Sequence, residues 1–171
     1  MAQGDTVQNL VSVSASGAIG KNVGNYVNAV TVGTEQNYVL TAVDGALTVT
    51  KAPLTITATN NTKVYGQTTT FAGTEFTSVG LQNSETVDSV TLTSLGAVAT
   101  AGVGSSPYAI TASGATGGSF NLANYDVSYI DGALTVTKAP LTITATNSTK
   151  VYGQTTTFAG TEFTSVGLQN S

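Results

Sequence analysis

Catalysis or metal binding in this chain would fall to nine carboxylates, five lysines and seven tyrosines, because its 171 residues include no His, Cys, Trp or Arg. Without imidazole or thiol there is no base–nucleophile pair of the Ser-His or Cys-His kind, no disulfide, and no usual ligand of zinc or haem. The acidic residues are spread out, and no two are close enough in sequence to suggest a general acid–base pair. Asp126 and Asp131 lie near each other, but they read as strand-end and turn residues, and calcium needs several oxygens converging on one point. Asn60-Asn61-Thr62 and Asn147-Ser148-Thr149 match the N-glycosylation pattern, yet they occupy expected turns, where Asn needs no further reason. Tyr65 and Tyr152 each precede a Gly and read as core-edge residues, with stacking on a sugar as the alternative. A lysine can form an isopeptide cross-link with Asn or Asp, but nothing in the sequence places either beside Lys51 or Lys63. The expectation is therefore no enzyme: no catalytic, cofactor-binding or metal-ligating residue, and no cofactor.

The elements that position these side chains follow from composition. Only 8% of the residues are charged, where a soluble domain usually carries about 25%. Polarity comes instead from 32 Thr, 15 Ser and 12 Asn, set beside β-branched aliphatics, which is the composition of strands and turns. The net charge is −4, and Lys21, Lys51, Lys63, Lys138 and Lys150 stand singly. No basic stripe exists, so nucleic acid is not an expected partner. The apolar runs are interrupted by Thr or Gly well before membrane-spanning length, so no membrane insertion is expected. Met1–Thr6 has neither the basic region nor the apolar core of a signal peptide. The chain is accordingly expected to be either cytoplasmic or an excised piece of an exported protein.

An internal repeat organises the rest. Residues 45–84 and 132–171 are identical except for Asn61 against Ser148, a period of about 87 residues. The remaining segments align more weakly: Asp5-Thr6-Val7 with Glu85-Thr86-Val87, Val23-Gly24 with Val103-Gly104, Tyr26 with Tyr108, and Asn37-Tyr38 with Asn124-Tyr125. The sequence thus divides into the second part of one module (1–50), a complete module (51–137) and the first part of a further module (138–171). The residue after Ser84 corresponds to Asp5, so the C-terminal part and the N-terminal part are complementary in phase.

Within the complete module, Leu54-Thr55-Ile56-Thr57-Ala58-Thr59 alternates apolar and Thr, the pattern of a half-buried strand. Further strands are expected at 46–50, 63–65, 75–79, 87–93, 108–112, 125–130 and 133–137. Turns are expected between them, with Asp131-Gly132 as a hairpin turn and 113–120 as a variable loop. Six or seven short strands per module predict an all-β fold of tandem small β-sandwich (Ig-like) modules, with a β-grasp-like module as the alternative. The apolar phase changes across Lys51-Ala52-Pro53, which reads as a nearly zero-length linker joining modules into a rod. Lys51 and Lys63, at the ends of the 54–59 strand, are expected to discourage edge pairing.

Lys63-Val64-Tyr65-Gly66-Gln67, Gly80-Leu81-Gln82-Asn83, Asn124-Tyr125-Asp126-Val127-Ser128-Tyr129 and Gly132-Ala133-Leu134-Thr135-Val136-Thr137-Lys138-Ala139-Pro140, in that order, resemble the MBG (YGX-type) repeats of large bacterial surface and adhesin-like proteins. The resemblance implies an extracellular or cell-surface location and a structural role as a segment of a repetitive fibre or adhesin stalk. It implies no catalytic residues. The expected partners are neighbouring modules or further copies of the chain joined head-to-tail by completion of split modules. The alternative is an adhesive module that binds carbohydrate or a host surface.

Overall fold

The structure is a computed structural model and describes residues 11–15, 19, 22–34 and 38–170. These divide into two compact units, Met1–Leu54 with Gly80–Thr86 and Ser119–Ser128, and Thr55–Val79 with Val87–Gly118 and Tyr129–Ser171. The secondary structure is almost wholly β, with short 3-10 turns at Leu95–Ala97, Val103–Ser105 and Leu122–Asn124.

In the first unit β1 (Val11–Ala15), β2 (Gly24–Val32) and β3 (Gly45–Val49) form an antiparallel sheet in the order β1-β2-β3, with Val11 opposite Val32 and Tyr26 opposite Leu47. Short polar side chains tie this sheet together: Thr48 Oγ1 donates to Asn25 Oδ1 at 2.9 Å, and Asp44 Oδ1 accepts from Val30 N at 3.0 Å.

β4 (Ala52–Ala58) and β9 (Tyr125–Ile130) each contribute residues to both units. The other elements are β5 (Asn61–Val64), β6 (Phe76–Val79), β7 (Ser89–Thr93), β8 (Tyr108–Thr116), β10 (Gly132–Thr137), β11 (Thr142–Ala145) and β12 (Phe163–Val166). They build sheets in the orders β6-β4-β9, β5-β10-β8-β7 and β11-β12. β5 and β10 are parallel, with Val136 beside Lys63, whereas β8–β10 and β7–β8 are antiparallel. A period of two sends alternate side chains to one face, and the second unit's core is made that way. Ile56 and Ala58 of β4, Val90 and Leu92 of β7, Ile110 and Ala112 of β8, and Leu134 and Val136 of β10 are all buried. Each such Leu, Ile or Val contributes about 1.5–3 kcal/mol by leaving water.

Four local expectations are corrected. Ala52 and Pro53 belong to β4 rather than to a linker, and Pro is tolerated there because a strand's opening residues need not donate to a ladder. The reversal of apolar phase is made by Thr50-Lys51 alone, between strands of different sheets. Asp131-Gly132 is not a hairpin turn, since β9 and β10 lie in different sheets. Gly132 is needed instead for close approach: a Cβ there would sit 2.7 Å from the Ala58 carbonyl oxygen. The segment 113–120 is only partly loop, because β8 continues to Thr116 past a register irregularity opposite Ser89–Thr91. Finally, Lys63 guards no edge. It is 5% exposed, and its ammonium donates to the carbonyls of Gln67 and Val98.

Candidate interaction site

The duplicated segment occurs in two surroundings, and the difference between them defines the site. In the first copy Leu54 and Ile56 are 1% and 0% exposed. β5 forms against β10, and the Lys63 carbonyl accepts from Thr137 Oγ1 at 3.1 Å. The turn that follows β6 is held by Tyr125, whose hydroxyl accepts from Gln82 N at 2.8 Å and donates to Glu85 Oε2 at 2.6 Å. Burial, with the Glu85 carboxylate beside it, raises the Tyr125 phenol above its ordinary pKa. Asn124, one residue earlier, accepts from Val23 N at 3.0 Å and donates to Asn22 Oδ1 at 2.9 Å.

In the second copy the same residue types face outward. Leu141 is 48% and Ile143 63% exposed, and residues 148–151, the counterpart of β5, form no strand. Lys150 is exposed, with its ammonium 3.5 Å from the Gln154 carbonyl. Tyr65, Val103, Lys138, Leu141, Leu168 and Gln169 line an adjoining open groove of about 430 Å³. One wall of this groove is anchored by Asn170, whose side chain donates to the Ala99 carbonyl at 3.2 Å.

One motif is the same in both copies. The Glu75 carboxylate accepts from the backbone N–H groups of Ala72, Gly73 and Thr74 at 2.9, 2.9 and 3.1 Å. Glu162 does so with Ala159, Gly160 and Thr161 at 2.8, 2.9 and 3.0 Å. Both carboxyl groups lie below their usual pKa, chiefly through the first N–H of each set, because donors stabilise the charged form.

The residues weighed for chemistry are not brought together. Tyr65 is half-buried on the groove wall, and Tyr152 is fully exposed. Asp126 and Asp131 are exposed, and among the described residues no three His, Cys, Asp or Glu are grouped to hold a metal ion. Asn60 Oδ1 accepts from Ala133 N at 2.8 Å and Asn61 Oδ1 from Thr62 N at 2.7 Å, so both amides of that sequon serve the backbone. Lys51 is exposed, and Lys63 meets backbone carbonyls where an isopeptide bond would require an Asn or Asp. From sequence Tyr125 is aligned with Tyr38 and falls in the family motif but has no assigned role, and Glu75 does not stand out. The available signal for Tyr125 was its recurrence as Tyr38 at the same distance before a Gly-Ala-Leu-Thr-Val strand.

Short strands in several sheets define an all-β protein, in whose sequence residues 45–84 recur as 132–171. Residues 54–135 match the family model of the MBG domain (YGX type). No curated protein and no solved structure matches the chain.

Proposed function

We propose that this chain is a structural segment of an extracellular repetitive fibre or adhesin stalk, built of tandem small β-sandwich modules of about 87 residues. On this reading residues 51–137 are the complete module, 1–50 the second part of one before it, and 138–171 the first part of one after it. The observation that carries the proposal is the 40-residue duplication 45–84 and 132–171, which straddles the MBG match and repeats its opening strands. Equivalent positions supply β3 and β10, β4 and β11, and β6 and β12. The buried apolar residues shared by β4, β7, β8 and β10 support the sandwich reading. Ionisable side chains spent on backbone contacts, as Lys63 and Glu75 are, suit a structural role better than an enzymatic one. Protease treatment of intact producing cells is expected to release peptides of this chain while a cytosolic marker stays inside. Protection of the chain in intact cells, with cleavage only after lysis, would remove the surface reading.

A second reading, an adhesive module for carbohydrate or a host surface, is favoured by Tyr65 on the wall of the open groove. It predicts saturable binding on a glycan array that Tyr65→Ala abolishes, whereas the stalk predicts background signal.

A further inference from the structure

We infer that consecutive modules dock on one another through a fixed seam, in which Tyr65-Gly66, Ala99 and Val103 of one module receive the turn Gly167-Leu168-Gln169-Asn170 of the next. This deepens the modular reading and rests on it. All of these residues lie in the second unit. The Ala99 carbonyl accepts twice, from Gly66 N at 3.2 Å within its own module and from Asn170 Nδ2 at 3.2 Å across the seam. Tyr65 and Val103 face Gln169 along the walls of the open groove. Gly66 has a φ of +93°, and a Cβ there would sit 2.7 Å from the Gln169 Cβ. Gly153, the same residue of the other copy, has a similar φ of +86° and nothing within 4 Å of an added Cβ. The close approach of Gln169 is therefore a property of the junction, since the Tyr-Gly turn takes the same backbone conformation without it.

The preceding junction is built from the equivalent residues, all of them in the first unit. Val23, which aligns with Val103, lines a groove of about 170 Å³ with Ala52, Gln82 and Asn83, just as Val103 lines the larger groove with Ala139 and Gln169. There Asn124 of the complete module bonds to Val23 N and Asn22 Oδ1 of the module before it. The inserted turn has the same internal geometry in both copies. Gln82 Nε2 donates to the Gly80 carbonyl at 3.0 Å and Gln169 Nε2 to that of Gly167 at 3.1 Å, while Asn83 and Asn170 hold φ values of 52° and 55°. A turn fixed by bonds within itself loses little freedom on docking. The seam is then a nearest-neighbour interface of the kind that couples stabilities along a repeat array, so that each module is held in part by the turn of the next.

The test is amide hydrogen exchange on the full chain and on its variant Gln169→Ala/Asn170→Ala, both exposed positions. Loss of the seam is expected to speed exchange of the Gly66 and Thr69 N–H groups, which bond to Ala99 and Ala97, by about threefold to tenfold. The Thr146 N–H, bonded to Glu162 within the following module, is expected to exchange as in wild type. Unchanged exchange at Gly66 and Thr69 overturns the inference. A second measurement reads the contact itself. The chain has no cysteine, so Gly66→Cys/Gln169→Cys places two thiols within reach of a disulfide, whereas Gly153→Cys/Gln169→Cys carries the same backbone strain with no such neighbour. Air oxidation of the monomer is expected to consume both thiols of the first pair and neither of the second. Free thiols in the first pair, or equal loss in both, overturn the inference. A chain released from intact cells by protease but uncoupled at Gly66 loses only the seam. A coupled chain that protease does not reach in intact cells loses the stalk reading and keeps the seam as a contact within the chain.

Discussion

Lys63 and Lys150 are the same residue of the same repeat, one buried against two carbonyls and one in water. A buried acceptor that loses its donor costs about 1–3 kcal/mol, whereas exposed substitutions usually stay within about 0.5 kcal/mol. Lys63→Met is therefore expected to lower the unfolding free energy measured in urea by an amount in the first range, and Lys150→Met to leave it unchanged. Glu75 titrates with a definite sign. Its pKa is lowered in the folded state, so its stabilisation is present above the ordinary carboxyl range and is lost as pH falls through the folded value. Thermal melts across that window should show wild type losing more stability on acidification than Glu75→Gln, and equal slopes would show that the carboxylate is not held by its three N–H donors. Burial of Lys63 was illegible in the sequence because a lone lysine beside a turn normally projects to solvent, and its acceptor at Val98 lies 35 residues away.

At the scale of elements the strands were legible, because alternation of Thr with Leu, Ile and Val is a local property and every strand from β3 to β10 falls within a few residues of its expected place. Pairing was less legible. Asp-Gly between two strands normally signals a hairpin, but here the chain changes sheets, and Gly132 is set by its distance to the Ala58 carbonyl. Its repeat partner Gly45 has room, with the nearest atom to an added Cβ at 3.6 Å. Gly132→Ala is expected to destabilise by about 1–3 kcal/mol through overpacking, and Gly45→Ala to stay within about 0.5 kcal/mol. Ile56→Ala should cost about 2–5 kcal/mol, against a negligible change for Ile143→Ala in the monomer, where that side chain is 63% exposed. Urea unfolding monitored separately at each substituted position checks both pairs.

Over the whole molecule, five single lysines and a net charge of −4 leave little for electrostatics to do. The duplication also separates what local order determines from what needs a distant partner. By itself the sequence determined the β composition, the period, the β4–β6 and β11–β12 pairings, and the Glu75 and Glu162 turns, all of which recur in both copies because their partners lie within one short segment. Only the tertiary structure decided that β5 exists while 148–151 stays unpaired, and that Leu54 is buried while Leu141 is exposed. A short strand has no hydrogen-bond partners of its own, so the same residues become strand and core only where β10 and its neighbours cover them.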